Sequence, residues 1–384
     1  MKFTILKTAL LQTLNIAFKL VPSASASPVL THFFMKIDDN GLEVKATDGN
    51  ISCKTSISIK DDKDNEIIKN IEEGEFLVNG KYLINMISGL DGKYINFNMV
   101  DSNYLSIFDD ATDFNLVTRE TSEFPDLDLN VSSESNSFHI KVSDLKLLYD
   151  KTSFAVATKS SKDMFFGINI KAKDGKLYFL ATDSFRMARY AIKNENDKAD
   201  FNFTCPVKAL SMISSLANND VVEIVFDQQR ALFKTNNLIV STKLYQGDFP
   251  SPERIIPDKF PYSITFKTDD FLKSLSRVNI LSDIESSKIP TCKLTISKQT
   301  GVTLSSSSEG NGDSKDTLSS VSFVLPENEE VFEIGFNTSY VQAALKALNS
   351  DEATLVFSSP IRMFMAKNID ENNIQIITPV RLSN

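Results

Sequence analysis

The sequence predicts an α+β fold of three repeated domains, each built from amphipathic helices and antiparallel strands. Three observations carry this. A short alternating strand runs straight into an amphipathic helix three times, in "FTILKTALLQTLNIAFKL" from Phe3, "FHIKVSDLKLLYDKTSFAV" from Phe138 and "YSITFKTDDFLKSLSRVNIL" from Tyr262. A second unit recurs between these, as "FLVNGKYLINMISGL", "FTCPVKALSMISSL" and "IGFNTSYVQAALKAL", with the strand-like runs "YINFNMV", "VVEIVFD" and "ATLVFSS" after them. The turn signals "EFPDLD" and "DFPSPE" close the first two copies and set Pro125 and Pro250 125 residues apart. The expected domains are therefore 1–130, 131–257 and 258–384.

The first helix is predicted at 7–19. Its surroundings, "LKTALLQTLNIAFKLVPSASAS", have the parts of a secretory signal peptide. Gln12, Asn15 and Lys19 interrupt the apolar run, however, and share a stripe with Thr8. Leu10, Leu11, Leu14, Ala17 and Phe18 occupy the other side, so the segment reads as an amphipathic helix retained in the fold. Further helices are predicted at 81–90, 143–157, 206–217, 269–281 and 338–349, with Ser143 and Thr268 as expected caps. In "ISCKTSISIK", Ile51, Cys53, Thr55, Ile57 and Ile59 alternate with Ser and Lys, the pattern of an antiparallel strand with one wet face. "DDKDNE" at 61–66 reads as a polar hairpin tip and "EGNGDSKD" at 309–316 as an exposed loop.

Composition narrows the function. Apolar residues make up 42% of 384, and no run of 18 of them exists to cross a membrane. Cys53, Cys205 and Cys292 lie far apart, so neither a disulfide framework nor a zinc site is indicated, and a reducing cytoplasm is the expected compartment. Neither a phosphate-binding loop nor a nucleophile elbow occurs, and His32 and His139 sit at no ligand spacing. No catalytic residue, metal or cofactor is expected.

The net charge is −9, unlike an open nucleic-acid-binding surface. The charge is unevenly spread. The six predicted helices hold nine bases (Lys7, Lys19, Lys81, Lys146, Lys151, Lys208, Lys273, Arg277 and Lys346) against Asp144, Asp150, Asp269 and Asp270, leaving −14 for the rest. A basic helical surface suits phosphates contacted without base readout, and an acidic remainder repels them.

The arrangement resembles the bacterial DNA polymerase III beta subunit, the DNA sliding clamp, over essentially the whole chain. The motifs that carry the resemblance are "MKFTI", "ATDSFRMA" at 181–188, "DFPSPERIIP" at 248–257, "FEIGFNTSYVQAALKAL" at 332–348 and "ITPVRL" at 377–382. The resemblance implies a head-to-tail homodimeric ring around double-stranded DNA, with helices lining the channel and antiparallel sheets outside. Such a ring tethers the replicative polymerase and does no bond chemistry. It implies as partners the DNA polymerase III alpha subunit, the clamp loader, and other polymerases and repair proteins that bring short peptide motifs.

Carried over by position, the partner-peptide pocket would use Phe165, Thr182, Ser184, Phe185, Arg186, Met187, Pro250, Arg254, Ile255, Asn337, Tyr340, Ile361, Met363, Ile376, Thr378, Pro379, Val380 and Arg381. The channel set would comprise the nine helix bases with Lys159 and Lys162. The dimer joint would be Phe114 and Leu116 against Ile280 and Leu281. The loop "PSASASP" has no base where relatives often place an Arg near DNA, and Ser383 and Asn384 extend past the usual terminal Leu. The competing reading is a non-ring, single-stranded nucleic-acid-binding repeat protein, which would want exposed basic–aromatic stripes.

Overall fold

The computed structural model describes residues 1–101, 103–216, 220–280, 290–308 and 312–382. The first copy contains β1 (Lys2–Leu6), α1 (Lys7–Phe18), β2 (His32–Asp38), β3 (Gly41–Thr47), β4 (Ile51–Ile57), β5 (Ile68–Glu72), β6 (Gly74–Asn79), α2 (Gly80–Gly89), β7 (Tyr94–Met99), β8 (Tyr104–Phe108) and β9 (Asp113–Val117). The second contains β10 (Asn136–Lys141), α3 (Val142–Thr152), β11 (Gly167–Lys173), β12 (Lys176–Thr182), β13 (Arg186–Lys193), β14 (Phe201–Pro206), α4 (Val207–Ile213), β15 (Val221–Phe226), β16 (Arg230–Lys234) and β17 (Leu238–Lys243). The third contains β18 (Tyr262–Lys267), α5 (Thr268–Asn279), β19 (Thr291–Ser297), β20 (Gly301–Ser308), β21 (Gly312–Leu318), β22 (Val321–Val324), β23 (Val331–Asn337), α6 (Thr338–Leu348), β24 (Glu352–Phe357), β25 (Phe364–Lys367) and β26 (Asn373–Ile377).

The chain forms two compact units, Met1–Leu145 with Lys208–Leu244, and Lys146–Val207 with Tyr245–Asn384. They divide the middle copy because sheets run across the joints between copies. In the first unit, β17 pairs antiparallel with β4 and makes one eight-stranded sheet, β10-β15-β16-β17-β4-β3-β2-β6. In the second unit, β13 pairs with β26 in the same sense within a nine-stranded sheet, β14-β11-β12-β13-β26-β25-β24-β18-β22. The remaining sheets are β5-β1-β7-β8-β9 in the first unit and β21-β20-β19-β23 in the second.

Burial follows the alternation read from sequence. Along β4, Ile51, Cys53, Thr55 and Ile57 are buried while Ser52, Lys54 and Ser56 are not. Helix α1 packs on β3 and β4 and buries Leu10, Leu14 and Ala17. Phenylalanines, with no Trp, fill the interior. Phe3 and Phe97 stack at 4.6 Å in the first unit, and Phe357 lies 5.2 Å from Phe364 in the second. Burying each such ring is worth roughly 1.5–3 kcal/mol relative to exposure.

Some local expectations are corrected. Ser143 and Thr268 do not cap their helices. The strands run without a break into α3 at Val142 and α5 at Thr268, so both residues lie inside the first turn, and the Thr268 hydroxyl is buried with no partner. Side-chain caps are instead seen on α2, where Asn79 accepts from the Tyr82 amide at 3.2 Å, and on α6, where Asn337 accepts from the Ser339 amide at 2.9 Å. The third helix ends at Thr152 and gives way to a 3-10 turn, and α4 stops at Ile213. Of the loop expected at 309–316, residues 312–316 are strand, where β21 pairs with β20 from Gly312 to Leu318, and 309–311 lie outside the described residues. The hairpin tip at 61–66 is observed, closed by a Lys60–Glu66 bridge.

Candidate partner groove and helix surface

The second unit carries a groove of about 890 Å³, lined by four separate stretches: Arg254–Pro257, Glu333–Gly335, Pro360–Met363 and Thr378–Leu382. The last stretch follows β26 and is held at its start and its middle. The Thr378 amide and hydroxyl both donate to the Phe185 carbonyl at 2.8 Å, and the Val380 amide donates to the Gly335 carbonyl at 2.8 Å. Gly335 is required by this approach, since a Cβ there would lie 2.6 Å from the Val380 oxygen. Ile361 stands 81% exposed at the rim. Arg254, Arg362 and Arg381 add positive charge; Glu333 already accepts from Lys293 and Thr295.

Of the expected pocket residues, Arg254, Ile255, Ile361, Met363, Thr378, Pro379, Val380 and Arg381 line this groove. Thr182, Ser184, Phe185, Arg186 and Met187 form the β12–β13 turn and strand beside β26, where Met187 pairs with Ile376 and both are buried. The turn is a built one. Thr182 donates to the Arg186 carbonyl, and Asp183 accepts from the amides of Phe185 and Arg186. The same bonds occur in "ATDGN" of the first copy, through Thr47 and Asp48. Here the turn presents Phe185, 60% exposed, and Arg186, which pairs with Asp183 at 2.9 Å and lies 4.5 Å from the Tyr340 ring centre. Asn337 is the α6 cap, Phe165 packs against Phe249 at 6.0 Å, and neither they nor Pro250 and Tyr340 line the groove.

Sequence reasoning missed Ile256, Pro257, Glu333, Ile334, Gly335, Pro360, Arg362 and Leu382. All but Pro360 and Arg362 lie inside motifs already singled out; the signal was the whole motif rather than selected positions in it.

The helix bases fall into two sets. Four are engaged within the protein. Lys7 donates to the carbonyls of Ser88 and Leu90 at the end of α2, and Lys151 to those of Ala347, at 2.5 Å, and Leu348 at the end of α6, where ammonium groups complement the negative end of the helix dipole. Burial lowers the pKa of Lys151. Lys208 pairs with Asp48 at 2.7 Å, and Arg277 with Asp316. Among the described residues, Lys19, Lys81, Lys146, Lys159, Lys273 and Lys346 are exposed with no hydrogen-bond or ion-pair partner, and Lys162 is exposed over the Phe165 ring.

At the expected dimer joint, Phe114 is half-buried on β9, while Leu116 is 6% exposed and belongs to the chain's own core. Ile280 is 61% exposed just past α5; Leu281 lies outside the described residues. Among the described residues no helix is long and apolar enough to cross a membrane.

Family models for the N-terminal, central and C-terminal domains of the DNA polymerase III beta subunit match residues 1–128, 139–251 and 253–381. The beta sliding clamp of Streptococcus pneumoniae strain R6 is 28% identical over 397 residues, covering 99% of each chain. That of Bacillus subtilis strain 168 is 28% identical over 386 residues, covering 99% of this chain and 100% of the relative. The crystal structure of the Bacillus subtilis sliding clamp superposes with a TM-score of 0.89 at 26% identity over 100% of both chains. The chain thus belongs to the DNA polymerase III beta subunit family, the sliding clamps, which are non-catalytic processivity factors of DNA replication.

Proposed function

We propose that two copies of this chain close head to tail into a ring around duplex DNA, with domains at 1–130, 131–257 and 258–384. The observation that carries this is the order of the joints. β4, β13 and β21 hold the same place in the three copies, as do β9, β17 and β26. Two joints, β4–β17 and β13–β26, are made within the chain. β9 and β21 are left as sheet edges, and pairing them between chains repeats the same joint and removes exposed edges that invite aggregation. Phe114 and Ile280 are the apolar side chains this joint would cover; Leu116 would contribute through its backbone.

The exposed lysines at 19, 81, 146, 159, 273 and 346 would face the phosphates, giving contact that is independent of sequence and weakened by salt. Lys7, Lys151, Lys208 and Arg277 would act by holding the fold. The groove would receive short apolar peptides from the polymerase, the clamp loader and repair proteins, walls and rim supplying burial and a few polar groups fixing orientation.

Sedimentation and DNA retention test the ring. The expected results are a mass of two chains and, after loading, retention on closed circular DNA with release when the circle is cut. A monomer that stays equally on circular and linear DNA would refute it.

A further inference from the structure

We infer that Arg189 and Glu253 are a positioning pair that holds one wall of the partner groove in place. This rests on reading the groove as a partner-peptide site. The wall, Arg254–Pro257, belongs to the stretch 247–261 between the second and third copies, which contains only a single 3-10 turn, Pro252–Arg254. Its backbone bonds are internal: Arg254 to Ser251, and Ile255 and Ile256 to Pro252. Among the described residues, one ion pair or hydrogen bond ties this stretch to the rest of the unit, from Arg189 to Glu253 at 2.9 Å.

Arg189 is suited to the task. It stands on β13, paired in register with Leu180 and Ile374 in the middle of the nine-stranded sheet, so its backbone is fixed on both sides. Its side chain is 16% exposed and its guanidinium lies 5.5 Å from the Tyr178 ring centre. The Nε atom is buried without a partner, which leaves the terminal nitrogens as the outlet for its hydrogen bonding. Glu253 is oriented in turn by the Ser251 hydroxyl. A carboxylate one residue before Arg254 is thus pinned to a rigid strand, and the residues after it present Arg254 and Ile255 to the groove. Phe249 on Phe165 and the buried Pro252 anchor the stretch through apolar contact; without the pair, the polar side of the wall would have to be ordered by the incoming peptide, and that ordering would be taken from the binding free energy.

The test measures binding of a fluorescent peptide from the replicative polymerase to the full-length protein, by equilibrium titration and by dissociation rate. Glu253→Gln, Arg189→Met, the double variant and Met363→Glu are compared. Glu253 is 62% exposed, so its variant should fold normally, as a thermal melt and unchanged retention on circular DNA would verify. Each single change at the pair should weaken binding by roughly three- to tenfold, mainly through faster dissociation, and the double variant should be no worse than the singles. Tryptic cleavage after Arg254 should quicken in Glu253→Gln. Wild-type affinity in both single variants while Met363→Glu loses binding would overturn the positioning role, as would additive losses in the double variant. Full affinity in Met363→Glu would instead show that the groove is not the peptide site.

Discussion

Replacing Gly335 by Ala should open the proposed partner groove from behind. The added Cβ would lie 2.6 Å from the Val380 carbonyl oxygen and 2.8 Å from the Leu382 Cδ2. The leucine can turn aside; a backbone oxygen cannot. To regain an ordinary carbon–oxygen separation of about 3.3 Å, the terminal stretch must move by roughly 0.7 Å. Accommodating the methyl in place costs about 1–3 kcal/mol, as overpacking does. Lifting the stretch instead sacrifices the bond from the Val380 amide to the Gly335 carbonyl, a net loss of about 0.5–1.5 kcal/mol. The second route is the cheaper one, because Arg381 is exposed and Leu382 partly so. Thr378–Leu382 would then no longer line the groove as they do. An anisotropy titration with a polymerase-derived peptide should show affinity reduced about five- to tenfold, near 1–1.4 kcal/mol. Hydrogen exchange at the Val380 amide should accelerate, with little change in melting temperature. Unchanged affinity together with an unchanged Val380 exchange rate would refute the argument.

Other perturbations separate the parts of the molecule. Ser184 holds φ at +81°, where the matching turn of the first copy has Gly49 at +91°; Ser184→Gly should keep or raise stability in urea titration by about 0.5 kcal/mol, against the loss usual for such a change. Backbone amides of Ala111, Gly92 and Thr112 hold the Asp109 carboxyl at a pKa of about 2, below its usual 3.8. Because the folded value is depressed, its contribution is complete above about pH 4 and is lost as pH falls toward 2. Asp109→Asn should flatten acid unfolding in that window, and an unchanged acid profile would speak against it. Burial pushes the Cys53 and Cys292 thiols up to about 12 and Cys205 higher still. At pH 8 a thiol reagent should modify none of the three in the native protein and all in denaturant; rapid native labelling would contradict their burial. Reversing Lys19, Lys81 and Lys346 to Glu should reduce loading and retention on circular DNA without loss of stability. Lys151→Met should cost about 1 kcal/mol in stability by releasing the Ala347 and Leu348 carbonyls. Equal DNA effects from the two sets would show that engagement within the fold does not decide which bases meet phosphate.

What the sequence determined by itself was the threefold repeat and the elements in it. Alternation in "ISCKTSISIK" and the apolar stripe of Leu10, Leu14 and Ala17 are written within a few residues, and burial acts on that same scale, so β4 and α1 were legible. Helix starts were less so, because a cap depends on where the extended backbone stops; Thr268 falls one residue too far in. What only the tertiary structure decided is which like residues do unlike work. Lys81 and Lys151 are both helix lysines in sequence. One is exposed, and the other is spent on carbonyls 196 and 197 residues away. Lys208 meets Asp48 across a separation of 160 residues. The groove gathers Arg254, Gly335, Met363 and Val380 from four stretches, and the need for a glycine among them arises only where Val380 crosses it. Periodicity reports a residue's neighbours along the chain. Charge pairing and steric contact depend on distance through space, which closure of the sheets alone sets.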